Sequence, residues 1–230
     1  MMKSGKTSGS GAKLRDRNAG GMSTHKRMVE CQYCRKPRAD LDGPLQCCSG
    51  CKVDVYCSRE CQKKAWPSHK SMCKQIQQRD AEATTEEMDE IVLLRKFKGK
   101  HRPMIFECTV QALDLYNDPT RSQRYILIID LERRPHSNQP AIAFRMVDAR
   151  VVAFEDMESA QRNEMRIQMH QAEGALMGSG DGTIGVMFTM LRVNTGAATI
   201  AGAGFTKDVL VPSRDWKGLL RTCMNNGVVV

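Results

Sequence analysis

Residues 31–73 read CQYCRKPRADLDGPLQCCSGCKVDVYCSRECQKKAWPSHKSMC. Cysteine and histidine recur there in short pairs: C-x2-C, thirteen residues, C-x2-C, five residues, C-x3-C, seven residues, H-x3-C. A C-x2-C knuckle brings two sulfurs to ~2.3 Å from one zinc ion. An x3 spacing on a helix stacks its two side chains one turn apart on one face. The candidate ligands are Cys31, Cys34, Cys48, Cys51, Cys57, Cys61, His69 and Cys73. Cys47 competes with Cys48 through a Cys47-x3-Cys51 pair. Four pairs complete two tetrahedra and leave no position for water or substrate, so two Zn2+ ions here are structural and not catalytic. Ser58 is placed to cap the helix that carries Cys61. So short a segment has too little core to fold alone, and zinc must supply much of its folding free energy.

The run Val55-Tyr56-Cys57-Ser58-Arg59-Glu60-Cys61-Gln62, followed by Trp66, His69 and Cys73, resembles the MYND zinc finger. The resemblance favours Cys48 over Cys47, because Cys48-Ser-Gly-Cys51-Lys matches the family knuckle. It implies a small finger with short helices and interleaved pairs. Cys31, Cys34, Cys57 and Cys61 would then share one ion, and Cys48, Cys51, His69 and Cys73 the other. It also implies a protein-binding module for proline-containing peptides of transcriptional regulators, with Gln62 and Trp66 near the groove. Trp66 has a plainer reading as part of the finger's mini-core. Ala65 departs from the family, which usually has an acidic residue or His before the Trp; that bears on partner preference and not on zinc.

Of the ten cysteines, eight lie between Cys31 and Cys73. No apolar stretch follows the basic N-terminal residues, so no secretory signal is expected, and clustered cysteines then indicate metal in an intracellular protein, nuclear or cytoplasmic. No stretch approaches the ~20 apolar residues of a membrane span. The net charge is +9, divided as +5 over residues 1–30, +6 over 31–79 and −2 over 80–230. Two zinc ions and seven thiolates bring the finger to about +3, which is weak support for nucleic-acid binding through the basic first third.

Residues 1–30 are rich in Gly, Ser and Lys and read as a disordered basic tail. Beyond the finger, Lys74–Ala83 reads as a fraying helix end. Thr84 with Glu87 forms a capping-box pattern opening a helix with Met88, Ile91 and Val92 on one face. Pro103 is suited to the first turn of a second helix. Tyr125–Leu131, YILIIDL, reads as a buried strand. Further strands are expected within 141–154, 183–193 and 197–205, the last two around an Asn194-Thr195-Gly196 turn. A helix is expected over 156–176, ended by Gly178–Gly182, and a last one capped by Ser213. Residues 84–230 therefore form a small α+β domain.

Other chemistry finds little footing. Gly180-x-Gly182-x-x-Gly185 fits a dinucleotide fingerprint as a string, but it follows a helix and precedes a strand, the reverse of the required order. His101, His136 and His170 lack spaced partners and read as surface residues; Cys108 and Cys223 read as buried thiols. The chain reads as a non-enzyme. The competing enzyme class is a SET/MYND lysine methyltransferase, and neither SET sequence nor its cofactor motif is found.

Overall fold

A computed structural model describes residues 31–34, 36, 38–159, 162, 163, 165, 166, 169, 170, 182–212 and 214–229. The expectations for residues 1–30, Gly178–Asp181 and Ser213 lie outside these residues.

After the first knuckle and a 3-10 turn (Arg38–Asp40), the finger forms a two-stranded antiparallel ribbon, β1 (Gln46–Cys47) and β2 (Val55–Tyr56), pairing Gln46 with Tyr56 and Cys47 with Val55. Helix α1 follows (Arg59–Glu82). Ser58 is its N-cap, accepting a hydrogen bond from the Cys61 N–H at 3.2 Å. With 24 residues, α1 is longer than a finger of short helices implies. The segment after Cys73 does not fray: it stays helical to Glu82. Part of the reason is tertiary, since Asp80 takes both Arg95 terminal nitrogens at 2.8 and 2.9 Å and so ties α1 to the next helix.

That helix, α2, spans Thr85–Ala112. Its capping box is complete: the Glu87 N–H donates to the Thr84 hydroxyl at 3.3 Å, and the Thr84 N–H donates to the Glu87 carboxylate at 2.8 Å. Pro103 does not start a second helix but lies inside α2. Proline in a helix interior removes one hydrogen bond and costs ~3 kcal/mol. The continuous buried stripe Ile91, Leu94, Phe97, His101, Met104, Ile105 and Cys108 offsets that, because it recurs at three- and four-residue steps straight through the proline. Val92, placed beside Ile91 in the sequence reading, is exposed instead.

Strands β3 (Tyr125–Arg133), β4 (Phe144–Ala153), β5 (Gly185–Val193) and β6 (Ala198–Phe205) form one sheet in the order β4-β3-β5-β6. β3 and β5 are parallel; the outer pairings are antiparallel. β3 is central and covered on both sides, which is why its sequence is apolar from Tyr125 to Ile129 and again at Leu131. Leu127, Ile129 and Leu131 face α2 and the last helix, α3 (Trp216–Asn226). Ile126 and Ile128 face the other way, against Met157, Met165 and Met169. Of the described residues in the expected 156–176 helix, 159, 162, 163, 165, 166, 169 and 170 are helical; the helix starts later than expected, because Asp156 closes a 3-10 turn (Phe154–Asp156) and 157 and 158 are not helical. Helix α3 is capped by Asp215, whose carboxylate accepts from the Gly218 N–H at 3.0 Å.

Candidate metal centre

Within the finger, the buried cluster consists of Cys31, Cys48, Cys51, Tyr56, Ala65 and Cys73. Only Tyr56 and Ala65 are not candidate ligands, so hydrophobic burial contributes little that is independent of metal. Ala65, where the sequence departs from the family, is buried in the finger.

The eight candidate side chains gather into two groups. Cys31, Cys34, Cys57 and Cys61 form one, Cys48, Cys51, His69 and Cys73 the other, with the ligand atoms of each within 4.8 Å of one another. In a tetrahedron with ~2.3 Å zinc–sulfur bonds, sulfurs lie ~3.8 Å apart. The observed separations are 3.5 Å for Cys34–Cys57, 3.4 Å for Cys57–Cys61 and 3.7 Å for Cys48–Cys73. All ten cysteines are free thiols. Four thiolates in one site and three with an imidazole in the other form a soft donor set suited to zinc, and the finger carries two structural zinc ions. Cys47 is exposed and belongs to neither group.

The interleaving follows from local structure. The first knuckle sits against β2, with the Gln32 N–H donating to the Val55 carbonyl at 2.9 Å, which delivers Cys31 and Cys34 beside Cys57. The β1–β2 turn holds Cys48 and Cys51, and α1 lowers His69 and Cys73 onto them two turns beyond Cys61. Burial pushes the Cys48 thiol up, but the backbone N–H of Cys51 and the His69 ring bring it down to about 6. Burial also opposes ionisation of Cys31, whose hydrogen bonds from the Cys34 and Cys57 backbones lower it to about 7. Cys57 goes the other way, to about 12, through burial and the neighbouring Cys61 and Cys34 sulfurs. Zinc ligands bind as thiolates, so metal binding at each ring releases protons.

Three polar groups around the second site escaped the sequence reading, because ligand spacing carries no signal for them. The His69 Nδ1–H donates to Asp54 at 2.8 Å, leaving Nε2 to face the sulfurs of Cys48 and Cys51 at 3.4 and 3.6 Å. The Tyr56 hydroxyl also donates to Asp54, at 3.4 Å. The Gln77 amide donates to the Cys73 sulfur at 3.2 Å, and the Gln62 amide to the Cys48 sulfur at 3.5 Å. Gln62, read as a groove residue, thus also steadies a ligand. Trp66 is 39% exposed with its ring edge-on to His69 at 6.0 Å, so the indole braces a ligand and faces solvent at once.

The remaining sequence candidates lie elsewhere. His101 is not a surface residue: it is buried against Phe97 at 4.4 Å between ring centres and hydrogen-bonds the Ala141 carbonyl at 2.8 Å. The stripe on α2 carries it inward. His136 and His170 are exposed, and Cys108 and Cys223 are buried. Gly185 begins β5, and a Cβ there would meet the Phe205 ring at 2.6 Å, so packing accounts for this glycine.

The fold and the two closed ligand rings define a small non-catalytic zinc module attached to an α+β domain. Residues 31–73 match the family model of the MYND finger. A SET and MYND domain-containing protein of Dictyostelium discoideum is 44% identical over 54 residues, 23% of this chain and 10% of that protein. A histone-lysine N-methyltransferase of Homo sapiens is 63% identical over 30 residues, 13% of this chain and 7% of that protein. Tudor domain-containing protein 1 of Mus musculus is 46% identical over 41 residues, 18% of this chain and 3% of that protein. The likeness to these relatives thus spans a tenth or less of their length. No solved structure matches the chain.

Proposed function

We propose that the finger binds a proline-containing peptide in a groove that includes Gln62 and Trp66, and that the chain works as an intracellular regulatory adaptor, in nucleus or cytoplasm. The carrying observation is the half-open indole of Trp66, set on a metal site whose ligand positions are all filled. Tyr33, 42% exposed, adds a second aromatic surface to the finger, with the Lys64 ammonium 6.0 Å from its ring centre. Flat aromatic surfaces suit extended proline-rich segments, which lose little conformational entropy on docking.

Burying part of an indole against proline contributes ~1.5–3 kcal/mol. Trp66→Ala is therefore expected to weaken binding of a proline-containing peptide at least about tenfold. Because Trp66 touches His69, the variant must first be shown to keep two zinc ions. Gln62→Ala removes an amide and no apolar surface, and its effect is expected to be smaller. Normal binding by zinc-loaded Trp66→Ala would remove the groove from this reading. Binding that ignores Trp66 and falls steeply with salt would point to the basic N-terminal residues and nucleic acid.

This reading makes the chain a non-enzyme, although relatives that share the finger are named as methyltransferases. Full-length protein incubated with S-adenosylmethionine and histone is expected to transfer no methyl group; reproducible transfer would overturn the adaptor reading.

A further inference from the structure

On the side of the sheet away from α2, a cavity of about 590 Å³ opens where β3 begins and β4 ends. Its floor is apolar: Phe154 and Met169 line it and also pack against the Ile126–Ile128 face of the sheet. Its rim carries three arginines. Arg124 lies just before β3; Arg162 and Arg166 come from helical positions four residues apart, which share one face with His170, another lining residue. Glu155 is the one carboxylate among the lining residues, against three guanidinium groups.

Two of these arginines are held by contacts within the chain. Arg162 donates from Nη1 to the Glu155 carbonyl at 3.2 Å. Arg124 donates from Nη2 to Asp118 at 2.7 Å and to the Thr120 hydroxyl at 3.5 Å, and its guanidinium lies 5.7 Å from the Tyr125 ring centre. Among the described residues, Arg166 has no ion-pair partner. Tyr125, also in the lining, is braced by the Arg121 guanidinium 4.5 Å from its ring centre.

We propose that this cavity binds a nucleoside phosphate, with the phosphate on Arg124, Arg162 and Arg166 and the base against Phe154 and Met169. Guanidinium forks match phosphate oxygens two at a time, and a phosphate lets several of them converge without mutual repulsion. A bare anion would leave the apolar floor uncovered, and an apolar ligand would leave Arg162 and Arg166 without an anion, since among the described residues only Arg124 of the three is in an ion pair. The volume falls within the ~300–1,000 Å³ of small-ligand sites. The assignment concerns the α+β domain and does not depend on what the finger binds.

Calorimetric titration of the full-length protein with AMP tests it, with adenosine, inorganic phosphate and a single-stranded oligonucleotide as comparison probes. Saturable one-to-one AMP binding is expected, tighter than that of adenosine or phosphate. Arg162→Gln and Arg166→Gln are each expected to weaken it at least about tenfold. Arg166 is exposed, so its replacement leaves folding intact even if Arg162→Gln does not. Lys70→Gln, an equal charge change on the exposed face of α1, is expected to leave AMP binding unchanged. The proposal is overturned by absence of AMP binding, by an equal loss in Lys70→Gln, or by full affinity in Arg166→Gln. Inorganic phosphate binding as tightly as AMP would remove the base from the assignment. An oligonucleotide that AMP does not displace would replace it with an extended nucleic-acid surface.

Discussion

Cys57→Ser is expected to remove one of the two zinc ions and to unfold the finger around the site it vacates. The serine hydroxyl is not ionised at neutral pH and is a poor zinc ligand, so the four-sulfur ring of Cys31, Cys34, Cys57 and Cys61 drops to three. A structural zinc site contributes ~10–16 kcal/mol of apparent binding free energy, and in so small a module that is folding free energy. The finger has little to set against the loss, since Tyr56 and Ala65 are the non-ligand members of its buried cluster. His69→Ala should likewise leave one ion. Cys47→Ser and Cys108→Ser should keep both, because Cys47 faces solvent and Cys108 is packed between α2 and the sheet. Metal analysis of the folded variants reads the result. Zinc lost on Cys47→Ser but retained on Cys48→Ser would show that the second ring has been drawn from the wrong cysteine.

Asp54→Asn should weaken the second zinc ion ~10–100-fold while leaving the first unaffected. The carboxylate accepts the His69 Nδ1–H at 2.8 Å, which fixes the ring so that Nε2 points at the metal and makes that nitrogen a better donor. Asparagine keeps the shape and an acceptor oxygen but not the charge. The second ring also has only three thiolates to compensate a less basic imidazole. In competition with a chelator, one zinc ion should be released as in the unsubstituted protein and the other earlier. Two unshifted releases would mean that Asp54 merely packs beside the site. Both releases shifting together would mean that the finger loosens as a whole.

What could be read directly from the sequence was whatever is settled within a few residues. Ligand spacing, the caps at Ser58 and Thr84–Glu87, and the doubly covered β3 run all rest on short-range geometry, and the structure has them where the sequence puts them. Interleaving of the ligand pairs was available only through family resemblance, because spacing says which residues share a knuckle and not which knuckles share an ion. Tertiary structure decided the rest. Pro103 is a helix-starting signal judged locally, yet burial of the stripe on either side of it carries α2 through. His101 has no sequence partner, and its carbonyl acceptor at Ala141 comes from a distant loop. Asp54 lies fifteen residues before His69 with nothing between them to mark the pair. Arg124 and Arg166 line one cavity only because the fold brings two distant stretches of chain together. Such partnerships depend on where the chain returns in space, which is set by burial summed over the whole domain and leaves no mark in local spacing.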